Sequence, residues 1–142
     1  MSDSAQCSVG PSTRYFELPL INSYAGEATD SCDRLLCRVT KWERCLQLWL
    51  GRSTAASTVD VVILALKRSP QSADESDEEP LASRLTAARS DQPLEDFAKT
   101  VASLFVDHQV FLSASEALFG DDRWMAVRPS VVKKLKQLYL DS

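Results

Sequence analysis

The run Val59-Asp60-Val61-Val62-Ile63-Leu64-Ala65-Leu66 constrains this chain more than any other stretch. Seven of its eight residues are apolar and four are β-branched, which suits a strand buried on both faces better than one half in water. A chain of 142 residues makes one domain that buries roughly 70% of its unfolded surface. Its helical segments are too few to cover both faces of a sheet. A second protein is therefore expected on the other face, and the chain reads as an interaction subunit before any motif is sought.

Composition narrows the partners. Hydrophobic residues make up 44% and charged residues 25%, with a formal charge of −4 and a pI near 5.0. Nucleic acid and anionic membranes both demand a basic face, so neither is expected. The basic group Lys133-Lys134-Leu135-Lys136 reads as a solvated helix face near a C-terminal end, where cations complement the macrodipole. Met1 to Gln6 carries an acid and no apolar run, so no secretory leader is expected, and nothing approaches 18 consecutive apolar residues. Cys7, Cys32, Cys37 and Cys45 form no CxxC pair and have only His108 to join them as soft ligands. No zinc or other metal is expected, and the thiols suggest a reducing compartment, cytoplasm or nucleus.

Met1 to Thr13 is small and polar and reads as a disordered lead-in, followed by a single domain from Arg14 to the end. Arg14 to Ile21 alternates, with Phe16, Leu18 and Leu20 on one face, and Pro19 places it at a sheet edge. Asn22 to Ser31 reads as a loop. Leu35 to Thr40 is a second strand, Lys41-Trp42-Glu43 a turn, and Arg44 to Leu50 a third strand stopped at Gly51. A helix from Cys32 to Leu50 competes, but the strict alternation at 45 to 50 favours strand. Leu46, Leu48 and Leu50 share one face, Cys45, Gln47 and Trp49 the other.

The acidic stretch between Ser69 and Pro80 has nothing to bury and reads as a disordered loop. Within it, Ser72 and Ser76 each precede a glutamate by three residues, a pattern acidophilic kinases prefer. Leu81 to Arg89 fits a short strand or a weak helix. From Pro93 the stripe Leu94, Phe97, Ala98, Val101, Leu104 and Phe105 predicts an amphipathic helix. Gln109 to Ser113 predicts a strand, Gly120-Asp121-Asp122 a turn and Trp124 to Val127 a short strand. A last helix is expected from Pro129 to about Leu140, with Val131, Val132, Leu135, Leu138 and Tyr139 inward. The order gives an α+β fold: a mostly antiparallel sheet with two amphipathic helices on one face and the other face free for dimerisation.

The chain lacks the patterns that carry catalysis. Its four glycines, Gly10, Gly26, Gly51 and Gly120, are too scattered for a phosphate loop. There is no GxSxG element to pair with His108, which reads as a surface residue beside a helix end. Asp121-Asp122 reads as a turn, without the EF-hand spacing. No catalytic residue, metal or cofactor is expected. Trp49 is different: tryptophan is enriched at interface hot spots, so Trp49 and Gln47, with Val62 and Leu64 of the two-faced strand, are the expected partner contacts.

Cys37 to Gly51, with its Val-x-x-x-x-x-x-Leu-x-Leu-Trp-Leu-Gly spacing, resembles the signature hairpin of the proteasome assembly chaperone 4 family, which ends Leu-x-Leu-Trp-Val-Gly. Gln109-Val110-Phe111-Leu112-Ser113 resembles that family's Gln-Val-Phe-Val-Ser strand, also reached directly from a helix, and Val127 to Leu138 resembles its amphipathic C-terminus. The likeness runs from about Leu35 onward, in the same order. Gln47 stands where the family is aromatic, and the acidic loop looks like an insertion. The resemblance implies a non-catalytic subunit that pairs with a homologue of proteasome assembly chaperone 3, sheet against sheet with the helices outside. Such a pair promotes formation of the α-subunit ring of the proteasome core particle without ATP. The alternative function is a small adaptor subunit of a trafficking or signalling scaffold on a comparable domain.

Because a charged, unpatterned segment contributes little packing, deleting Gln71 to Glu79 should leave the thermal midpoint nearly unchanged. A scanning-calorimetry loss of many degrees would mean that the segment is structural.

Overall fold

The computed structural model of the chain describes residues 12–20, 33–69, 79–86, 92–118 and 122–140. Cys7, Cys32, the loop expected over Asn22 to Ser31, the acidic stretch at 70–78 and the Gly120-Asp121 pair lie outside them. Six strands, β1 (Ser12–Pro19), β2 (Arg34–Lys41), β3 (Cys45–Arg52), β4 (Val61–Leu66), β5 (Leu81–Arg84) and β6 (Gln109–Ala114), form one sheet. Two helices, α1 (Gln92–Leu104) and α2 (Asp122–Tyr139), accompany it. The fold is α+β.

Strand order is β1-β2-β3-β6-β4-β5. β6 enters between β3 and β4, parallel to the first and antiparallel to the second. The remaining pairs are antiparallel. β1 is an edge, as Pro19 demands, and it starts at Ser12, two residues before the expected boundary at Arg14.

Period-two alternation sorts the strands into two faces. One cross-strand row on the inner face runs Phe16, Cys37, Leu50, Ala114, Val61. The next runs Val39, Leu48, Leu112, Ile63, and all of these residues are buried. α1 packs against β4, β5 and β6, and α2 reaches α1 and β1. Of the expected α1 stripe, Leu94, Phe97, Ala98, Val101 and Phe105 are buried and Leu104 half-buried, with Ala102 added.

Three sequence expectations are overturned. Trp124 to Val127 is not a strand, and the last helix does not begin at Pro129: both lie within α2, which starts at Asp122. Asp122 at the first turn complements the dipole, and the apolar stripe Trp124, Val127, Val131, Leu135, Leu138 is helical in period. Pro129 donates nothing to the Met125 carbonyl one turn back, a defect that costs about 3 kcal/mol in an uncompensated helix. Here Arg128 Nε donates to that carbonyl at 3.3 Å, and Pro129 lies on the exposed side. Trp124, expected on a short strand, is instead helical and in the core, 1% exposed and edge-on to Phe97 with ring centroids 5.1 Å apart. The third correction is Gly51, which does not end β3; the strand continues to Arg52.

At one end of the sheet a buried carboxylate ties three elements together. Asp33, just before β2, accepts from Arg52 Nη2 at 2.6 Å, Arg123 Nη2 at 2.6 Å and Thr54 Oγ1 at 2.8 Å. Burial pushes its pKa up, but the bonds from Arg52, Thr54 and Arg123 outweigh burial and lower it from 3.8 to about 2. The ionised form is thus favoured by folding. Its contribution is complete above the unfolded value of 3.8 and is lost as pH falls toward about 2. Asp33→Ala should cost about 2 kcal/mol near neutral pH, since bonds to charged groups contribute at this level. In urea melts the variant should also lack the acid-side fall in stability that the wild type shows between those two pH values; equal slopes for both proteins would remove Asp33 as the cause.

Candidate functional site

The outer face of the same sheet carries no helix among the described residues. On β1 and β2 it presents Tyr15, Glu17, Leu36, Arg38 and Thr40; on β3, Gln47 and Trp49. On β6 and β4 it presents Phe111, Ser113, Val62, Leu64 and Leu66. Gln47, Trp49, Val62 and Leu64, singled out from sequence as partner contacts, therefore all lie on this one face, while Leu46, Leu48 and Leu50 lie on the other. Tyr15 is 73% exposed and Leu81, opposite Leu66 on β5, 72%. An antiparallel sheet that ends at solvent is normally polar on its wet side. This one keeps Leu36, Trp49, Val62, Leu64, Leu66 and Phe111 half-buried there, more apolar surface than a wet sheet face usually carries.

Trp49 is the most organised member of the face. Its indole Nε1 donates to the Thr58 carbonyl at 3.0 Å, holding the β3–β4 loop against the sheet. The loop is pinned further by Asp60, which accepts from Thr58 Oγ1 at 2.5 Å and from the Glu116 amide at 2.8 Å. The indole lies back over Gly51: a Cβ on residue 51 would collide with Trp49 Cη2 and Cζ2. That is why β3 runs through a glycine. Leu-Trp-Leu-Gly is one unit, in which the glycine leaves room for the ring two residues before it.

Two grooves flank Trp49. The larger, about 380 Å³, lies among Tyr15, Leu36, Arg38 and Val59; the smaller, about 190 Å³, among Thr40, Gln47, Val62 and Phe111. Arg38 and Trp49, directly opposed on β2 and β3, line both and form the ridge between them. Sequence reading missed Arg38 and Tyr15. Their alternation with Leu36 and Cys37 was visible, but their adjacency to Trp49 requires the β1–β2–β3 register.

The groups that could carry chemistry are otherwise engaged. His108 Nδ1 lies 3.1 Å from the Val106 carbonyl and its ring is edge-on to Phe105. Ser69 Oγ donates to Asp107, not to the imidazole. Asp107 has φ 66°, a left-handed conformation that aspartate tolerates, and its amide donates to the Lys67 carbonyl at 2.8 Å. The hydroxyl and amide of Ser69 lower its pKa. Burial pushes the Cys37 and Cys45 thiols up, away from the reactive thiolate. Among the described residues no three His, Cys, Asp or Glu side chains gather as a metal would need, and no helix is long and apolar enough to cross a membrane.

No family model matches the chain, and no curated protein matches it. Among solved structures, a chain from the crystal structure of a chaperone complex for yeast 20S proteasome assembly superposes with a TM-score of 0.56. The match covers 90% of this chain and 94% of that one, at 13% sequence identity. Its near-complete coverage extends the likeness to the whole domain, and the two chains share a fold.

Gly51→Ala should displace the indole and break its bond to Thr58. The Trp49 indole N–H, followed by NMR hydrogen exchange, should lose protection, with about 1 kcal/mol of stability. An unchanged exchange rate would mean that the ring does not depend on the glycine.

Proposed function

We propose that this chain is a non-catalytic chaperone subunit of proteasome core-particle assembly, of the assembly chaperone 4 type. The observation that carries the reading is the apolar outer face, organised around Trp49, on a fold shared with a chain of a proteasome assembly chaperone complex. The Leu-x-Leu-Trp-Leu-Gly hairpin and the Gln-Val-Phe-Leu-Ser strand, which support the same reading from sequence, are neighbours in the sheet as β3 and β6.

In this reading the partner is a homologue of proteasome assembly chaperone 3 with a similar sheet. Gln47, Trp49, Val62 and Leu64 meet that partner, and both proteins turn their helices outward. The pair binds α-subunits of the core particle and holds them in the geometry of the nascent ring, disfavouring wrong neighbours. Binding energy alone drives such templating; no nucleotide, metal or covalent step is needed. The working compartment is the cytoplasm or nucleus, where the core particle's subunits meet.

Co-expression with a chaperone 3 homologue should give a stable one-to-one dimer, and the chain alone should self-associate or precipitate. Trp49→Ala should weaken the dimer by about 2 kcal/mol or more, with a smaller effect on the isolated fold. Leu48→Ala, one residue away on the inner face, should instead cost about 2–5 kcal/mol of folding stability through the cavity it leaves. Calorimetric titration and chemical denaturation read the two effects separately. A monodisperse monomer indifferent to that homologue would sink the proposal.

A further inference from the structure

Arg38 is a cation in the middle of an apolar face. It stands on β2 directly between Tyr15 on β1 and Trp49 on β3, on the ridge that separates the two grooves. Its side chain is exposed, and no carboxylate among the described residues comes within ion-pair distance of it. Glu17, on the same face, lies 3.7 Å from Arg34. The other neighbours, Thr40, Gln47 and Ser113, are neutral.

A partner that covers Trp49 also covers Arg38, because the two are cross-strand neighbours whose Cβ atoms sit roughly 5 Å apart. A guanidinium sealed under an apolar surface carries five N–H donors and a full charge, and leaving these unmet strongly opposes association. Water cannot serve it where aromatic rings exclude water on both sides. A backbone carbonyl can accept a proton but leaves the charge uncancelled, whereas a carboxylate matches the guanidinium fork with two parallel bonds and neutralises it.

We infer that the partner presents an aspartate or glutamate, set in an otherwise apolar sheet face, against Arg38. This deepens the proposed pairing and rests on it. The same chemistry argues against a second copy of this chain as occupant. A second copy would offer only Glu17, the one carboxylate on the outer face of the described strands, and that group already lies 3.7 Å from Arg34. Apolar side chains of the partner fill the groove beside Tyr15 and Leu36, and the carboxylate selects the register in which they do so.

The test titrates the full-length chain, as wild type, R38E, R38M and W49A, against the chaperone 3 homologue at low and high salt. R38E should bind at least about 30-fold more weakly than wild type, the loss expected when one member of a buried charge pair is reversed. R38M should fall between them, and the melting temperatures of the free chains should agree, since Arg38 is exposed. Reversing the homologue's face carboxylates singly to lysine should restore R38E binding at one position only. If R38E binds like wild type while W49A does not, the face docks but no carboxylate meets Arg38, and this inference falls alone. If neither variant matters, or no complex forms, the docking face falls with it. If wild type instead forms a homodimer that R38E disrupts, the occupant is a second copy and the inference is wrong.

Discussion

β6 hydrogen-bonds to β3 along one edge and to β4 along the other. Without it the β1–β2–β3 meander and the β4–β5 pair would be separate pieces, the second a two-stranded ladder that is marginal alone. Once it is inserted, the register of the whole sheet follows, because a one-residue slip at either seam would turn Val110 and Leu112 outward and expose the row that α1 covers. The chain reaches this position from α1 through a tight turn at Asp107, whose carboxylate also fastens the end of β4 through Ser69.

A sheet closed in this way has unequal faces. The inner face is dry, layered against α1 and α2 and tied at one end by Asp33 to both Arg52 and Arg123. The outer face keeps large apolar groups in half-exposed positions and fixes the largest by a hydrogen bond, at Trp49, with Gly51 vacated beneath it. A ring held in place loses little freedom on association, so the arrangement suits an interface prepared in advance. The β3–β4 loop, held by the same indole, edges that face and lends it Val59.

Three aspartates among the described residues are spent on structure: Asp33 as a clamp, Asp60 on the turn at Glu116–Leu118, Asp107 on the junction into β6. Arg38 differs from them, a charge placed where apolar packing alone would prefer none. A polar group in an apolar contact costs affinity and returns specificity.

Much of this was legible in the residues. Alternation through Cys45 to Leu50 assigned Leu46, Leu48 and Leu50 to one face and Gln47 and Trp49 to the other, since side-chain direction in a strand is a local property. The α1 stripe was legible for the same reason at period 3.6. The start of α2 was within reach too, from the spacing of Trp124, Val127 and Val131, but Pro129 drew attention to a false beginning. Other features depended on contacts between residues distant in the chain. The insertion of β6 beside β3, the placement of Arg38 between Tyr15 and Trp49, and the Asp33 clamp, whose partners lie 19 and 90 residues away, leave no mark on any local pattern. Sequence by itself determined which side of each element seeks burial; only the tertiary structure decided which elements meet, because strand pairing and ion pairing join residues that neither periodicity nor propensity connects.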